Sequence, residues 1–202
     1  MAVCAEAVEY GFAAVCIYPW WLTRARAELT GEVALCTVVA FPHGLETTVA
    51  KCDAVRAAIA AGADEIDVVM AYAALRDGDE AGAGDDLAAV VATARAERSD
   101  VIVKAIIESA QLSDAQIRVA CRLVAASGAD FAKTSTGTAG GATVEAVSLI
   151  RSLLPAGVAV KASGGIRTAA AARAMLDAGA ERLGTSSGVS IMTELGAHAV
   201  AR

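Results

Sequence analysis

The chain has 202 residues and a formal net charge of −6, and 56% of it is hydrophobic although only 4% is aromatic. The acidic balance offers no basic footprint for nucleic acid or an anionic membrane, and no apolar run approaches the ~20 residues needed to span a bilayer. The length suits one domain, residues 1–202, with a core built from Ala, Val, Leu and Ile.

In chain order, the opening stretch from Ala2 to Tyr10 reads as a helix. It carries acidic groups and lacks the basic start and apolar segment of a leader peptide. Seven short β-rich runs follow: AAVCIY (13–18), LCTVVAF (35–41), EIDVVM (65–70), VIVKAII (101–107), FAKTST (131–136), VAVKAS (158–163) and RLGTS (182–186). Alanine-rich segments with helical spacing lie between them. Ser113 with Gln116 forms a capping-box pattern, and Thr143 and Thr168 are predicted N-caps. Three joints are near copies of one another: Ala61-Gly-Ala-Asp64, Ser127-Gly-Ala-Asp130 and Ala178-Gly-Ala-Glu181. Each places a glycine just past a helix end and a strand immediately after it. This repetition of strand plus helix indicates stacked βα units on a parallel sheet, an α/β fold. A (β/α)8 barrel of the TIM type needs eight strands. With seven read, the chain is either an open sheet or a barrel whose first strand is missing from it.

Strands covered on both faces read as continuous apolar runs, yet four of these carry a charge: Asp67, Lys104, Lys133 and Lys161. The lysines are 29 and 28 residues apart, one βα unit each, so they are expected at comparable levels of successive strands. Side-chain alternation sets them on the face opposite the aliphatic one, which in a barrel is the interior. Any one of them alone could snorkel to water or form a structural ion pair. Converging, three ammonium groups against one carboxylate leave an electropositive set, expected to lower a lysine pKa as an amine nucleophile requires. Glycine-rich turns follow the last three strands, at 134–141 (TSTGTAGG), 162–167 (ASGGIR) and 184–188 (GTSSG). Such turns at helix N-termini present backbone N–H groups to an anion, which suggests a phosphorylated small molecule. Five cysteines without CxxC or zinc spacing read as reduced thiols of a cytoplasmic protein, mostly buried, with Cys16 near a strand end as the exception. His43 reads as a loop residue and His198 as a solvated one. No His/Asp/Glu cluster has metal-ligand spacing, and no nucleotide-binding glycine motif appears, so neither metal nor organic cofactor is expected.

The segments GFAAVCIYP, VALCTVVAFPHG, GADEIDVVMAYAAL, VIVKAIIES, GADFAKTSTG, VKASGGIRT and GTSSG resemble, in order and over nearly the whole chain, the deoxyribose-phosphate aldolase family of Schiff-base aldolases. The resemblance implies reversible cleavage of 2-deoxy-D-ribose 5-phosphate to acetaldehyde and glyceraldehyde 3-phosphate. It makes Lys133 the imine-forming nucleophile, Lys161 its neighbour in the proton relay, and Asp67 the other relay group, working through a water. Lys104 shapes the polar interior. Gly137, Gly164, Gly165, Ser186 and Ser187 hold the phosphate, and Cys16 falls near the aldehyde site. A homodimer is implied. Three departures stand out: the family's first strand, with its Ile-Asp-His-Thr-Leu-like run, is absent; the turn after Lys133 is slightly short; and the tail GAHAVAR has no tyrosine. The first leaves two expectations open, that Met1 is not the native start or that the chain is a fragment. It also motivates a second reading, a catalytically silent phosphosugar-binding relative. A third is a Schiff-base aldolase for another phosphosugar.

Overall fold

The computed structural model describes residues 1–196; His198 and the rest of the tail lie outside the described residues. All seven expected strands form, each somewhat shorter than its β-rich run: β1 (Ala14–Ile17), β2 (Ala34–Val39), β3 (Glu65–Val69), β4 (Ile102–Ile106), β5 (Phe131–Lys133), β6 (Ala159–Ser163) and β7 (Arg182–Gly184). They pair in parallel and in sequence order, with β1 and β7 at the two edges. The helices are α1 (Ala2–Tyr10), α2 (Leu22–Glu28), α3 (Thr48–Ala60), α4 (Tyr72–Arg76), α5 (Glu80–Glu97), α6 (Asp114–Ser127), α7 (Val144–Leu153), α8 (Ala169–Asp177) and α9 (Gly188–Glu194). Among the described residues, no helix is long and apolar enough to cross a membrane.

The sheet curls as a TIM-type barrel does. In a flat sheet β3 and β6 would lie roughly 14 Å apart, three inter-strand spacings. Yet Lys161 of β6 reaches Asp67 of β3 at 2.6 Å, and Arg182 of β7 reaches Glu65 of β3 at 3.3 Å. Among the described residues the curl stops short of closure: the β1 and β7 edges pair only inward, with β2 and β6. A cleft of about 610 Å³ opens between those edges, lined by Val3, Phe12, Cys16, Lys161, Arg182 and the turn after β7, among others.

Local sequence accounts for the helix boundaries. Ser113 accepts from the Gln116 N–H while the Gln116 side chain accepts from the Ser113 N–H, completing the capping box of α6. Thr143 and Thr168 cap α7 and α8 through their hydroxyls. Each repeated joint has its glycine at positive φ, 96° at Gly62, 79° at Gly128 and 104° at Gly179. The acid that follows is clamped to an arginine. Asp64 holds Arg26 at 2.9 Å and accepts the Leu35 N–H at 2.8 Å; Asp130 holds Arg95 at 2.7 Å and accepts the Val103 N–H at 2.7 Å. Glu181 pairs with Arg151 at 3.0 Å. Aliphatic side chains from sheet and helices fill the layer between them. One ion pair is buried there, Lys51 of α3 to Asp86 of α5 at 2.6 Å, with Thr48 donating to the other Asp86 oxygen and Lys51 also donating to the Val69 carbonyl.

Candidate active site

Register explains how charged residues come to share the concave face. Lys133 and Lys161 are directly paired on β5 and β6, and Asp67 and Lys104 are directly paired on β3 and β4. Lys104 is not level with the other two lysines, however. It pairs with Phe131, two residues before Lys133, and so lies one layer deeper. Equal spacing along the chain does not fix level in a curled sheet, because adjacent strands are staggered.

Asp67 is the centre of the cluster and is fully buried. Its Oδ2 accepts from Lys161 at 2.6 Å and Lys133 at 2.8 Å; its Oδ1 accepts from Lys104 at 2.9 Å and from the Cys36 thiol at 3.2 Å. Cys16 lies 4.0 Å from Oδ2. Burial by itself would raise the Asp67 carboxyl, but Lys161, Lys133 and Lys104 together overturn this and hold it well below the usual carboxylate range. Asp67 is therefore the anion around which the three ammonium groups gather.

The sequence-based charge count needs correction. Glu65 is also buried on this face, holding Lys104 at 2.6 Å and Arg182 at 3.3 Å, while Lys104 and Arg182 both lie over the Phe131 ring. The cluster is thus four cations against two carboxylates. The expected downward shift does not appear at Lys104 or Lys161. Burial presses both ammonium groups down, but the nearby Asp67 carboxylate, with Cys36 adding, outweighs it and raises both. Attraction at hydrogen-bond distance exceeds repulsion between amines that share the carboxylate from different sides.

Above the lysines, β5 and β6 are braced by polar side chains. The Ser163 N–H donates to the Thr134 hydroxyl, and the Ser163 hydroxyl donates to the Ser135 carbonyl at 2.6 Å. Glu108, fully buried with φ 52°, accepts from the backbone N–H and hydroxyl of Thr136 and so ties down the turn after Lys133. Gly164, at φ +88°, is pressed against that turn: a Cβ there would lie 2.9 Å from the Gly141 Cα and 3.1 Å from the Gly137 Cα. Gly165, also at positive φ, faces open space. The turn after β7 is tied in by Thr185, whose hydroxyl donates to the Ile166 carbonyl and accepts from the Ser187 N–H. Gly137, Gly164, Gly165, Ser186 and Ser187 therefore belong to one set of interlocked turns, although the Ser187 N–H is already engaged. Ser186 and Ser187 line the 610 Å³ cleft together with Cys16 and Lys161. His43 is exposed in the turn after β2.

Cys16, Cys36 and Asp67 bring three potential metal-ligand atoms within 4.8 Å of one another, a juxtaposition from three strands that spacing along the chain does not reveal. Three ammonium groups already occupy the Asp67 carboxylate, which makes the spot hostile to a cation. Glu65, Glu108, Arg182 and Cys36 are the residues that sequence reasoning missed. A charge at the first position of EIDVV and of RLGTS was the available signal for Glu65 and Arg182.

Comparisons with known proteins agree with this geometry. The profile of the DeoC/LacD family aldolases matches residues 1–194. The chain is 46% identical over 193 residues to the deoxyribose-phosphate aldolase of Brevibacillus brevis, covering 95% of this chain and 86% of that one. With the deoxyribose-phosphate aldolase of an Exiguobacterium species it shares 45% identity over 194 residues, again 95% and 86% of the two chains. The deoxyribose phosphate aldolase of Aeropyrum pernix, solved as a tetramer, superposes with a TM-score of 0.86 at 30% identity over 96% of this chain and 81% of that one. The chain belongs to the DeoC/LacD aldolase family.

Proposed function

We propose that the chain reversibly cleaves 2-deoxy-D-ribose 5-phosphate to acetaldehyde and D-glyceraldehyde 3-phosphate through an imine on Lys133. The observation that carries this reading is the pairing of Lys133 with Lys161 in register, both donating to one oxygen of Asp67.

Lys133, as the free amine, attacks the aldehyde carbon of the open-chain sugar, and loss of water gives an iminium. The iminium draws electrons from the adjacent C–C bond, so cleavage leaves an enamine instead of an unstabilised carbanion. Asp67 holds the Lys161 ammonium beside the nucleophile, in register with it. The proton leaving the substrate hydroxyl travels through a water held by Asp67 and Lys161. Lys104, neutralised by Glu65 and Asp67, fixes the Asp67 carboxylate from below. The turns at Gly137, Gly164–Gly165 and Ser186–Ser187 hold the phosphate at the open end of the sheet, the usual phosphate position of such barrels. Cys16 sits at the cleft wall, next to the aldehyde.

The protein acts as a homodimer in the cytoplasm. Tyr18 and Trp20 after β1, Leu45 after β2 and Val49 in the first turn of α3 stand exposed, and Trp20 is 86% exposed, a surface suited to a second copy. The free thiols suit a reducing compartment. Molar mass by light scattering checks the first statement.

Borohydride trapping tests the mechanism. The protein is mixed with 2-deoxyribose 5-phosphate or acetaldehyde, reduced, and peptide-mapped. An adduct on Lys133 is expected. A folded protein that binds the phosphosugar but yields no adduct would favour the silent binding relative, for which the unpaired edges of β1 and β7 are the ground.

A further inference from the structure

Cys16 and Cys36 are directly paired residues on adjacent parallel strands, so their side chains leave the sheet on the same face. Neighbouring strands place such partners roughly 4.8 Å apart at Cα, inside the roughly 4.4–6.8 Å window that a disulfide spans. Their sulfurs already lie within 4.8 Å of each other. The two differ in access: Cys16 is exposed and lines the cleft, whereas Cys36 is buried behind it. Cys4, Cys52 and Cys121 are all buried.

We propose that Cys16 and Cys36 form a peroxide-responsive disulfide that reversibly switches off the neighbouring carboxylate centre. The neighbouring Cys36 thiol brings the Cys16 thiol down to about 7 against the opposing effects of burial and Asp67, with Lys161 and Lys133 adding to the lowering. Cys36 is pushed the other way, well above the ordinary thiol value, by the Cys16 thiol, by burial and by Asp67. The exposed sulfur is thus the more readily ionised of the two and the buried one keeps its proton longer, the division that attacking and resolving cysteines require.

The chemistry balances with a hydroperoxide as oxidant. The Cys16 thiolate attacks one oxygen of hydrogen peroxide, the O–O bond breaks, and hydroxide leaves a sulfenic acid on Cys16. The Cys36 sulfur then attacks the Cys16 sulfur, and the sulfenic hydroxyl departs with the Cys36 proton as water. Two sulfurs are oxidised and one peroxide is reduced. Drawing the sulfurs to bonding distance, roughly 2.05 Å, removes the thiol hydrogen that Cys36 donates to Asp67 Oδ1 and pulls the Cys16 side chain along the cleft wall. Asp67 then loses one of the contacts that fix it under Lys133 and Lys161. The consequence for activity rests on the function proposed above; formation of the bond does not.

The test is brief treatment with hydrogen peroxide, alkylation of remaining thiols, and tryptic mapping without reductant. Cleavage after Arg24, Arg26 and Lys51 puts Cys16 in peptide 1–24 and Cys36 alone in peptide 27–51. The expected result is a linked pair of these peptides lighter by two hydrogens, with fragment ions placing the bridge at Cys16 and not at Cys4. Activity of the same sample is expected to fall by up to about a hundredfold, the scale on which a displacement of about 1 Å is felt, and to return with dithiothreitol. In Cys36→Ala, compared only with its own untreated rate, no linked peptide forms and sulfenic acid accumulates on Cys16. Absence of the linked peptide from the wild type overturns the proposal. A linked peptide with undiminished activity overturns the switch. If the untreated protein neither turns over substrate nor forms an adduct on Lys133, the function proposed above has failed, and the peptide map still decides whether the bond forms.

Discussion

Replacing Asp67 by Asn changes the centre of the site by almost no volume, yet it removes the charge that three lysines share. The two orientations of the new amide are not equivalent. With the amide nitrogen at the Oδ2 position, two ammonium groups at 2.6 and 2.8 Å would face another donor. With it at Oδ1, one ammonium group, Lys104, and the weaker Cys36 thiol do, and Lys104 keeps Glu65 at 2.6 Å. The second orientation wins and leaves Lys133 and Lys161 on a neutral acceptor. Removing one partner of a buried ion pair costs about 3–5 kcal/mol. With Lys104 still matched, the expected loss is about 3–4 kcal/mol, or roughly 6–16 °C in Tm for a chain of this size. The loss is pH-dependent. The folded Asp67 carboxyl is depressed, so its contribution is complete above the unfolded value near about 3.9 and disappears as the pH falls through the folded value. The folded Lys161 amine is raised, so its contribution is complete below about 10.4 and disappears as the pH rises through the folded value. Urea unfolding of both proteins at acidic, neutral and alkaline pH should therefore give the largest difference at neutral pH, narrowing at both ends. An Asp67→Asn variant as stable as the wild type at neutral pH, or a difference that does not change with pH, would refute the account of Asp67 as the charge holding the cluster together.

Other expectations follow from the same geometry. Lys161→Leu removes the ammonium paired in register with Lys133 and should lower turnover by about 10²–10⁴-fold, measured by single-turnover quench, while Lys133 still forms a trappable adduct slowly. Gly164→Ala puts a Cβ 2.9 Å from the Gly141 Cα at a positive φ. It should raise KM for the phosphorylated substrate by about tenfold with less effect on kcat, at a stability cost of about 1–3 kcal/mol. Gly157→Ala, which meets nothing within 4 Å, is the control and should change neither. Lys51→Met strands the buried Asp86 carboxylate with only Thr48 and should cost about 3 kcal/mol in chemical denaturation without altering the substrate profile.

The strands, caps and joints were readable because each rests on local chemistry. Thr143 and Thr168 cap through their own hydroxyls, and Gly62, Gly128 and Gly179 supply the left-handed turn that the next strand requires. The in-register pairing of Lys133 with Lys161 was readable from their spacing of one βα unit, although Lys133 ends β5 and Lys161 is the middle residue of β6. What escaped depends on curl and stagger, which alternation along a strand does not encode. Asp67 and Glu65 sit two residues apart on one face and both are buried, yet only Asp67 interrupts an apolar run; Glu65 stands at its edge and reads as a strand boundary. Lys104 lies a layer below Lys133 for want of any marker of shear. Cys36 looked like a packing residue because its contact with Asp67 crosses from β2 to β3. Glu108 takes its left-handed conformation without glycine, so nothing in the sequence marked the bend that aims its carboxylate at Thr136.

The arginine clamps at the repeated joints place Asp64, Asp130 and Glu181 at the N-terminal ends of the strands, opposite the end that carries the lysines and turns. Arginine stems pack against two of the joint glycines, Arg26 of α2 on Gly62 after α3 and Arg151 of α7 on Gly179 after α8, so each of these joints is fastened by the helix of the preceding unit. Anchorage and chemistry thus occupy opposite rims. Substitutions in the turns after β5, β6 and β7 can reshape which sugar is accepted while these fastenings remain untouched, so the scaffold tolerates exchange of specificity one turn at a time.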